Sequence, residues 1–186
     1  MYGGEPYGAS LCVSRDHGAT WNATPFSPHV GDLSGKRNCC DEIEVAELPP
    51  PSPTRAAQNT SSIPTLYMTI RNDDCPNGLL CPGLESARQF SLSTDLGQSW
   101  SPRTNVQVPD CGNKGSVVTL DGNVILSTSA SCVNRVNLTV FVSKKGENGA
   151  AGSFTHRKLI SKSAGYNTMA VADHRRVAIL FEQVRT

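Results

Sequence analysis

The chain has 186 residues, with 17 Lys plus Arg against 16 Asp plus Glu and a net charge of +1. That balance excludes a polybasic binder of nucleic acid or of a membrane surface as the leading idea. At 38% hydrophobic and 18% charged, with 16 Gly, 12 Pro and no apolar run near the roughly 18 residues that a membrane span requires, the chain reads as soluble and turn-rich, without a transmembrane segment.

Apolar residues recur with a period of two, which predicts strands and an all-β class. In chain order the expected strands are Ser10–Ser14, Glu42–Leu48, Leu66–Asn72, Gln89–Ser93, Ser116–Leu120, Asn123–Thr128, Asn137–Ser143, Phe154–Ile160, Thr168–Ala172 and Arg176–Phe181. Asp121-Gly122 between two apolar runs is a two-residue hairpin signal, because both residues tolerate positive φ. Residues 49–64, opening Pro-Pro-Pro-Ser-Pro, read as an exposed insertion within a single domain, residues 1–186, since proline cannot donate to a ladder.

Seven cysteines occur, at 12, 39, 40, 75, 81, 111 and 132. None forms a Cys-x-x-Cys pair, so a disulfide loop from Cys75 to Cys81 is favoured over zinc, and the odd count leaves one thiol free or paired outside the chain. Sequons begin at Asn22, Asn59 and Asn137; with the cysteines they suggest a secretory or lysosomal product. The opening MYGGEPYGAS has neither the basic nor the apolar region of a signal peptide, which implies a cytosolic protein or an internal start.

One repeat stands out: Ser14-Arg-Asp-His-Gly-Ala-Thr-Trp21 and Ser93-Thr-Asp-Leu-Gly-Gln-Ser-Trp100 share Ser-x-Asp-x-Gly-x-(Ser/Thr)-Trp. Its physics is that of a turn: the aspartate accepts from turn amides, the glycine takes a conformation other residues resist, and the tryptophan packs back on the sheet. A degenerate third copy is expected at Ser143-Lys144-Lys145-Gly146. Asp16 and Asp95 are therefore structural.

Such Asp boxes resemble those of sialidase-type β-propellers, and four further segments resemble the exo-α-sialidase (neuraminidase) family, closest to the animal lysosomal type. The resemblance runs in the family's order from Ser14 to Glu182. Asp41-Glu42-Ile43-Glu44-Val45-Ala46-Glu47-Leu48 is similar to the strand whose leading glutamate, here Glu42, is the catalytic base. Leu66–Asn72 resembles the strand bearing the second arginine of the substrate-carboxylate triad, here Arg71, and Arg135 matches the third. Ser163-Ala-Gly-Tyr-Asn-Thr-Met169 is similar to the Gly-Tyr-Ser segment of the nucleophilic tyrosine, here Tyr166, and Glu182 resembles a glutamate that orients the first triad arginine. The implied fold is a six-bladed propeller, present here as its C-terminal half to two-thirds.

Physical need supports the set independently. Sialic acid carries a carboxylate on its anomeric carbon, so a neutral tyrosine avoids the repulsion that a carboxylate nucleophile would meet. A phenol with an ordinary pKa of about 10 needs an adjacent base, the role given to Glu42. Guanidinium groups supply the planar paired donors that a carboxylate requires, the role given to Arg71 and Arg135. The implied function is release of terminal sialic acid from glycoproteins, oligosaccharides or gangliosides, in the lysosome or after secretion, with no cofactor.

Taken singly, each residue has an ordinary alternative: surface ion pairs for the arginines, a solvated acidic edge with Asp41 and Glu44 for Glu42, a packed aromatic for Tyr166, a strand terminus for Glu182. The rival reading is a non-catalytic Asp-box propeller serving as a carbohydrate- or protein-binding scaffold. Transglycosylation, with a sugar in place of water as acceptor, is a second rival. The sequence also departs from the family. It has no Arg-Ile-Pro segment for the first triad arginine and no counterpart of the acid/base aspartate. Asn167 follows the tyrosine where the family has serine, and Asn72 leads into a cysteine-bearing loop; both are expected to alter rim contacts only. The four histidines have no spacing for a metal site.

Overall fold

The computed structural model describes residues 10–25, 42–48, 63–71, 87–110, 113–131, 136–144 and 154–183. Twelve strands lie among them: β1 (Cys12–Val13), β2 (Asn22–Ala23), β3 (Glu44–Glu47), β4 (Leu66–Ile70), β5 (Ala87–Ser93), β6 (Thr104–Pro109), β7 (Ser116–Leu120), β8 (Asn123–Ser131), β9 (Val136–Ser143), β10 (Phe154–Ser163), β11 (Asn167–Asp173) and β12 (Arg176–Phe181). No helix occurs among the described residues. The pairing is antiparallel throughout. β3 to β6 and β7 to β10 each form a four-stranded meander in chain order, and β1–β2 and β11–β12 form two-stranded sheets. The Pro-rich stretch to residue 62, the cysteines other than Cys12, and the Lys145-Gly146 part of the degenerate box lie outside the described residues. Cys12 is a free, exposed thiol.

β2 and β6 are the two strands not expected from the sequence, and each follows a copy of the repeat, so both copies close hairpins. Their hydrogen bonding is the same. Asp16 Oδ1 accepts from the Thr20 amide at 2.8 Å and Oδ2 from the Thr20 hydroxyl at 2.6 Å, while Ser14 Oγ accepts from the Gly18 amide at 2.7 Å. Asp95 Oδ1 accepts from the Ser99 amide at 2.9 Å and Oδ2 from the Ser99 hydroxyl at 2.5 Å, with Ser93 Oγ accepting from Gly97 at 2.8 Å. Two successive residues take positive φ in each turn, His17 and Gly18 at 57° and 92°, Leu96 and Gly97 at 56° and 82°. Asp121 and Gly122 do likewise at 50° and 79°, which is the expected two-residue hairpin between β7 and β8.

The tryptophans diverge. Trp100 is buried with Leu66, Met68 and Ile70, as expected. Trp21 corrects the expectation: it is 63% exposed, and its indole N–H donates to Gly18 O within its own turn at 3.1 Å. Its hairpin consists of two strands of two residues each, too little sheet to receive an indole.

β4 is buried at all five positions because it packs on both faces. Tyr67 faces a core of Leu48, Phe90, Val106, Val108, Val117, Val124, Leu126 and Phe141 that joins the two meanders. Its ring stacks on Phe90 with centroids 5.2 Å apart and planes 5° from parallel. On the opposite face Leu66, Met68, Ile70 and Trp100 gather Leu11 from beside the β1–β2 hairpin. Each such large side chain contributes about 1.5–3 kcal/mol by leaving water, so the sheet interfaces rather than the turns carry most of the stability.

The first strands of the three larger sheets, β3, β7 and β11, lie side by side and run the same way. Glu44 joins them: its Oε2 accepts from the Val117 amide at 2.6 Å and its Oε1 from the Thr168 hydroxyl at 3.5 Å. Farther along, the Thr119 hydroxyl donates to Glu47 O at 2.7 Å, and the Met169 amide donates to Ser116 Oγ at 2.8 Å. Glu44 is thus partly buried and bonded rather than one member of a solvated acidic edge.

Two predictions follow from these contacts. Hydrogen bonds from the Thr20 and Ser99 hydroxyls, then from the amides of the same residues, hold the Asp16 and Asp95 carboxyls at about 2. Their folded values lie below the ordinary carboxylate range, so the stabilisation is complete above about pH 4 and is lost as pH falls through about 2. A carboxyl-carbon NMR titration should give midpoints near 2, and midpoints near 4 would refute the turn geometry. Glu44→Ala, which strands the Val117 N–H, should lower stability to chemical denaturation by about 1–3 kcal/mol.

Candidate active site

Antiparallel pairing places the predicted residues at one end of these sheets. Glu42 precedes β3 and Arg71 follows β4, strands in which Glu44 opposes Thr69. Tyr166 precedes β11 and Glu182 follows β12, strands in which Asn167 opposes Phe181. The β3, β7 and β11 starts coincide through Glu44 and through Asn167, whose Nδ2 donates to Lys114 O at 3.0 Å. Arg135 lies outside the described residues; Ser131 and Val136, between which it falls in the sequence, pair across β8 and β9 at the same end.

The residues meet as two pairs. Arg71 Nη1 lies 2.9 Å from Glu42 Oε2, and both side chains are about one-fifth exposed. Glu42 holds φ at 53°, a conformation that costs a non-glycine residue on the order of 1–3 kcal/mol and that persists only where surrounding contacts enforce it. Here it turns the side chain at the head of β3 toward the end of β4. In the second pair the Tyr166 amide donates to Glu182 Oε2 at 3.1 Å. Main-chain bonds reinforce this contact, from the Gly165 amide to Glu182 O at 2.8 Å and from the Glu182 amide to Tyr166 O at 2.9 Å. A Cβ at Gly165 would displace Glu182 Oε2, the atom that accepts from the Tyr166 amide, so glycine leaves room for that contact. Thr168, two residues beyond Tyr166, meets Glu44, two residues beyond Glu42, so the two pairs are linked through a single carboxylate.

Tyr166 opens on a groove of about 350 Å³ shared with Lys114, Thr168, Leu180, Phe181 and Glu182. The other tyrosine among the described residues, Tyr67, is fully buried, and desolvation pushes its phenol well above its ordinary value, the reverse of what a nucleophile needs. Lys114 was not singled out by the sequence, since a lysine between Asn113 and Gly115 carries no spacing signal. Asn167 corrects the expectation of an altered rim contact. It is 3% exposed, accepts from the Ser127 hydroxyl and donates to Lys114 O, so its carboxamide ties the head of β11 to β7 and β8.

The arrangement offers a carboxylate held beside a guanidinium, a partly exposed phenol and a lysine-lined groove at one rim. A phenol and a carboxylate–guanidinium pair at one rim are groups that can serve nucleophilic displacement on an anionic substrate. No group of three or more His, Cys, Asp or Glu side chains suited to a metal occurs among the described residues. No helix of the described residues is long and apolar enough to cross a membrane.

No protein-family model and no curated protein sequence matches the chain. Solved structures do. The Hadza microbial sialidase Hz136 matches with a TM-score of 0.66 at 19% identity, over 95% of this chain and 30% of that one. The NanB sialidase of Streptococcus pneumoniae matches with a TM-score of 0.62 at 17% identity, over 94% of this chain and 24% of that one. The intramolecular trans-sialidase of Ruminococcus gnavus matches with a TM-score of 0.59 at 16% identity, over 94% and 33%. This chain spans between a quarter and a third of their lengths and has the antiparallel, propeller-like fold of the sialidases over that span.

Proposed function

We propose that the chain is a portion of a six-bladed propeller acting as a retaining exo-α-sialidase, which releases terminal sialic acid from glycoproteins, oligosaccharides or gangliosides. The observation that carries this reading is the gathering of the Glu42–Arg71 and Tyr166–Glu182 pairs at one end of three aligned strands, in a fold shared with sialidases.

In this mechanism Arg71 and Arg135 bind the substrate carboxylate, and Arg71 exchanges part of its contact with Glu42 for the ligand. Tyr166 Oη attacks the anomeric carbon while its proton passes to Glu42, and the bond to the leaving-group oxygen breaks as that oxygen is protonated. Water then attacks the same carbon of the tyrosyl sialoside, giving up one proton to the general acid's conjugate base; Glu42 returns its proton to the departing phenolate, and the sialic acid leaves with its anomeric configuration retained. Glu182 acts on the Tyr166 backbone and orients the first arginine of the triad. The sequence carries no motif for that arginine or for the general acid; unassisted departure of the leaving group would be slower by about 10²–10⁴-fold. The sequons and cysteines support a lysosomal or secretory setting, in which sialylated glycans would be the substrates.

Tyr166→Phe in the full-length protein, assayed with a fluorogenic sialoside, should lower kcat by about 10³-fold or more while free sialic acid binds within a few-fold of the parent. Retained turnover would reject the nucleophile assignment.

A further inference from the structure

Behind Tyr166 lies a buried polar network that the mechanism above does not use. Arg88 and Asp110 are both fully buried, with Nη1 and Oδ2 3.2 Å apart. Arg88 Nε donates to Thr69 Oγ1 at 2.6 Å, and Nη1 donates also to the Asn113 main-chain carbonyl at 3.2 Å. Asn113, itself fully buried, passes the connection on: its Nδ2 donates to Ser129 Oγ at 2.8 Å and to Gly165 O at 3.2 Å. The network begins under β4 and β5 and ends at the residue before Tyr166.

The Gly165–Tyr166 peptide is consequently gripped from two sides. Its carbonyl accepts from Asn113, ahead of β7, and its N–H donates to Glu182 Oε2, beyond β12. A peptide unit is planar, so fixing its oxygen and its N–H from different elements fixes the plane that ends at Cα of Tyr166, and the Glu182 amide bonded to Tyr166 O holds the next peptide; with both planes set, Cα projects its side chain in one direction. Buried polar groups of this kind are costly unless fully bonded, and an ion pair as enclosed as Arg88–Asp110 is weak as a source of stability compared with apolar packing.

We propose that Asn113 is a positioning residue for Tyr166, acting through the Gly165 carbonyl to aim the phenol. The inference rests on the sialidase reading above.

The test uses the full-length protein and a fluorogenic sialoside, with kcat, KM and thermal midpoint measured for each variant. Asn113→Asp replaces the donor facing Gly165 O by an acceptor in nearly the same volume, and Asn113→Ser is neutral but too short to reach; the serine variant carries the test if the aspartate variant does not fold. Thr69→Val cuts the far end of the same network. Both Asn113 variants should lose about 10- to 100-fold in kcat with KM within about threefold, the signature of a misplaced reacting group. Thr69→Val should lower the thermal midpoint with kcat within twofold. The inference is overturned if the Asn113 variants keep kcat within threefold of the parent, or if Thr69→Val loses kcat as they do. An unchanged kcat in Tyr166→Phe would instead reject the sialidase reading, and the positioning role with it.

Discussion

The constraint on which the rest depends is the Glu44 carboxylate. Apart from the Thr119 hydroxyl bond to Glu47 O farther along, β3 would otherwise meet β7 and β11 through side-chain packing, which fixes neither register nor direction. By accepting from the Val117 amide and the Thr168 hydroxyl, Glu44 sets where three separate sheets begin relative to one another. Glu42 and Tyr166 stand two positions ahead of Glu44 and Thr168, just before β3 and β11, so the contact between Glu44 and Thr168 brings the heads of those two strands to one rim.

Division of labour follows from this. The two repeated turns and the Tyr67–Phe90 core hold the sheets at a distance from the rim, with side chains that have no chemistry to offer there. At the rim the chain accepts local expense: a positive φ at Glu42, a glycine at 165 that leaves room for Glu182, and a buried charge at Arg88. Positive φ occurs also in the turns at His17, Leu96 and Asp121, so it is the enclosed charge and the close approach of Gly165 to Glu182 that set the rim apart.

Much of the fold was legible because period-two patterning survives burial on one face. β7 and β12 have the expected ends, and most other strands differ from them by a few residues. β6 was missed although Val106 and Val108 alternate with polar residues, because Pro102 and Pro109 bracket the run and read as loop. β2 has two residues, too few for any period. The turns were legible in full, since Ser, Asp, Gly and Ser/Thr act within eight residues of one another; the fate of Trp21 was not, because it depends on what faces the hairpin. The same distinction governs the site. Glu42, Arg71, Tyr166 and Glu182 came from ordered motifs, whereas Arg88, Asp110 and Asn113 look like surface residues until partners 16 to 52 positions away close around them. Asn167 was read as a rim substitution for the same reason: its partners Ser127 and Lys114 lie on other strands.

The central claim is that the phenol at the head of β11 forms a covalent bond with sialic acid. Incubating the full-length protein with a sialic acid bearing fluorine at its anomeric and adjacent carbons slows breakdown of such an adduct, and peptide mass spectrometry then locates it. The account predicts one sialyl modification, on the peptide containing Tyr166, absent from Tyr166→Phe. An adduct on a different residue, or hydrolysis of sialosides with no adduct formed, would contradict it.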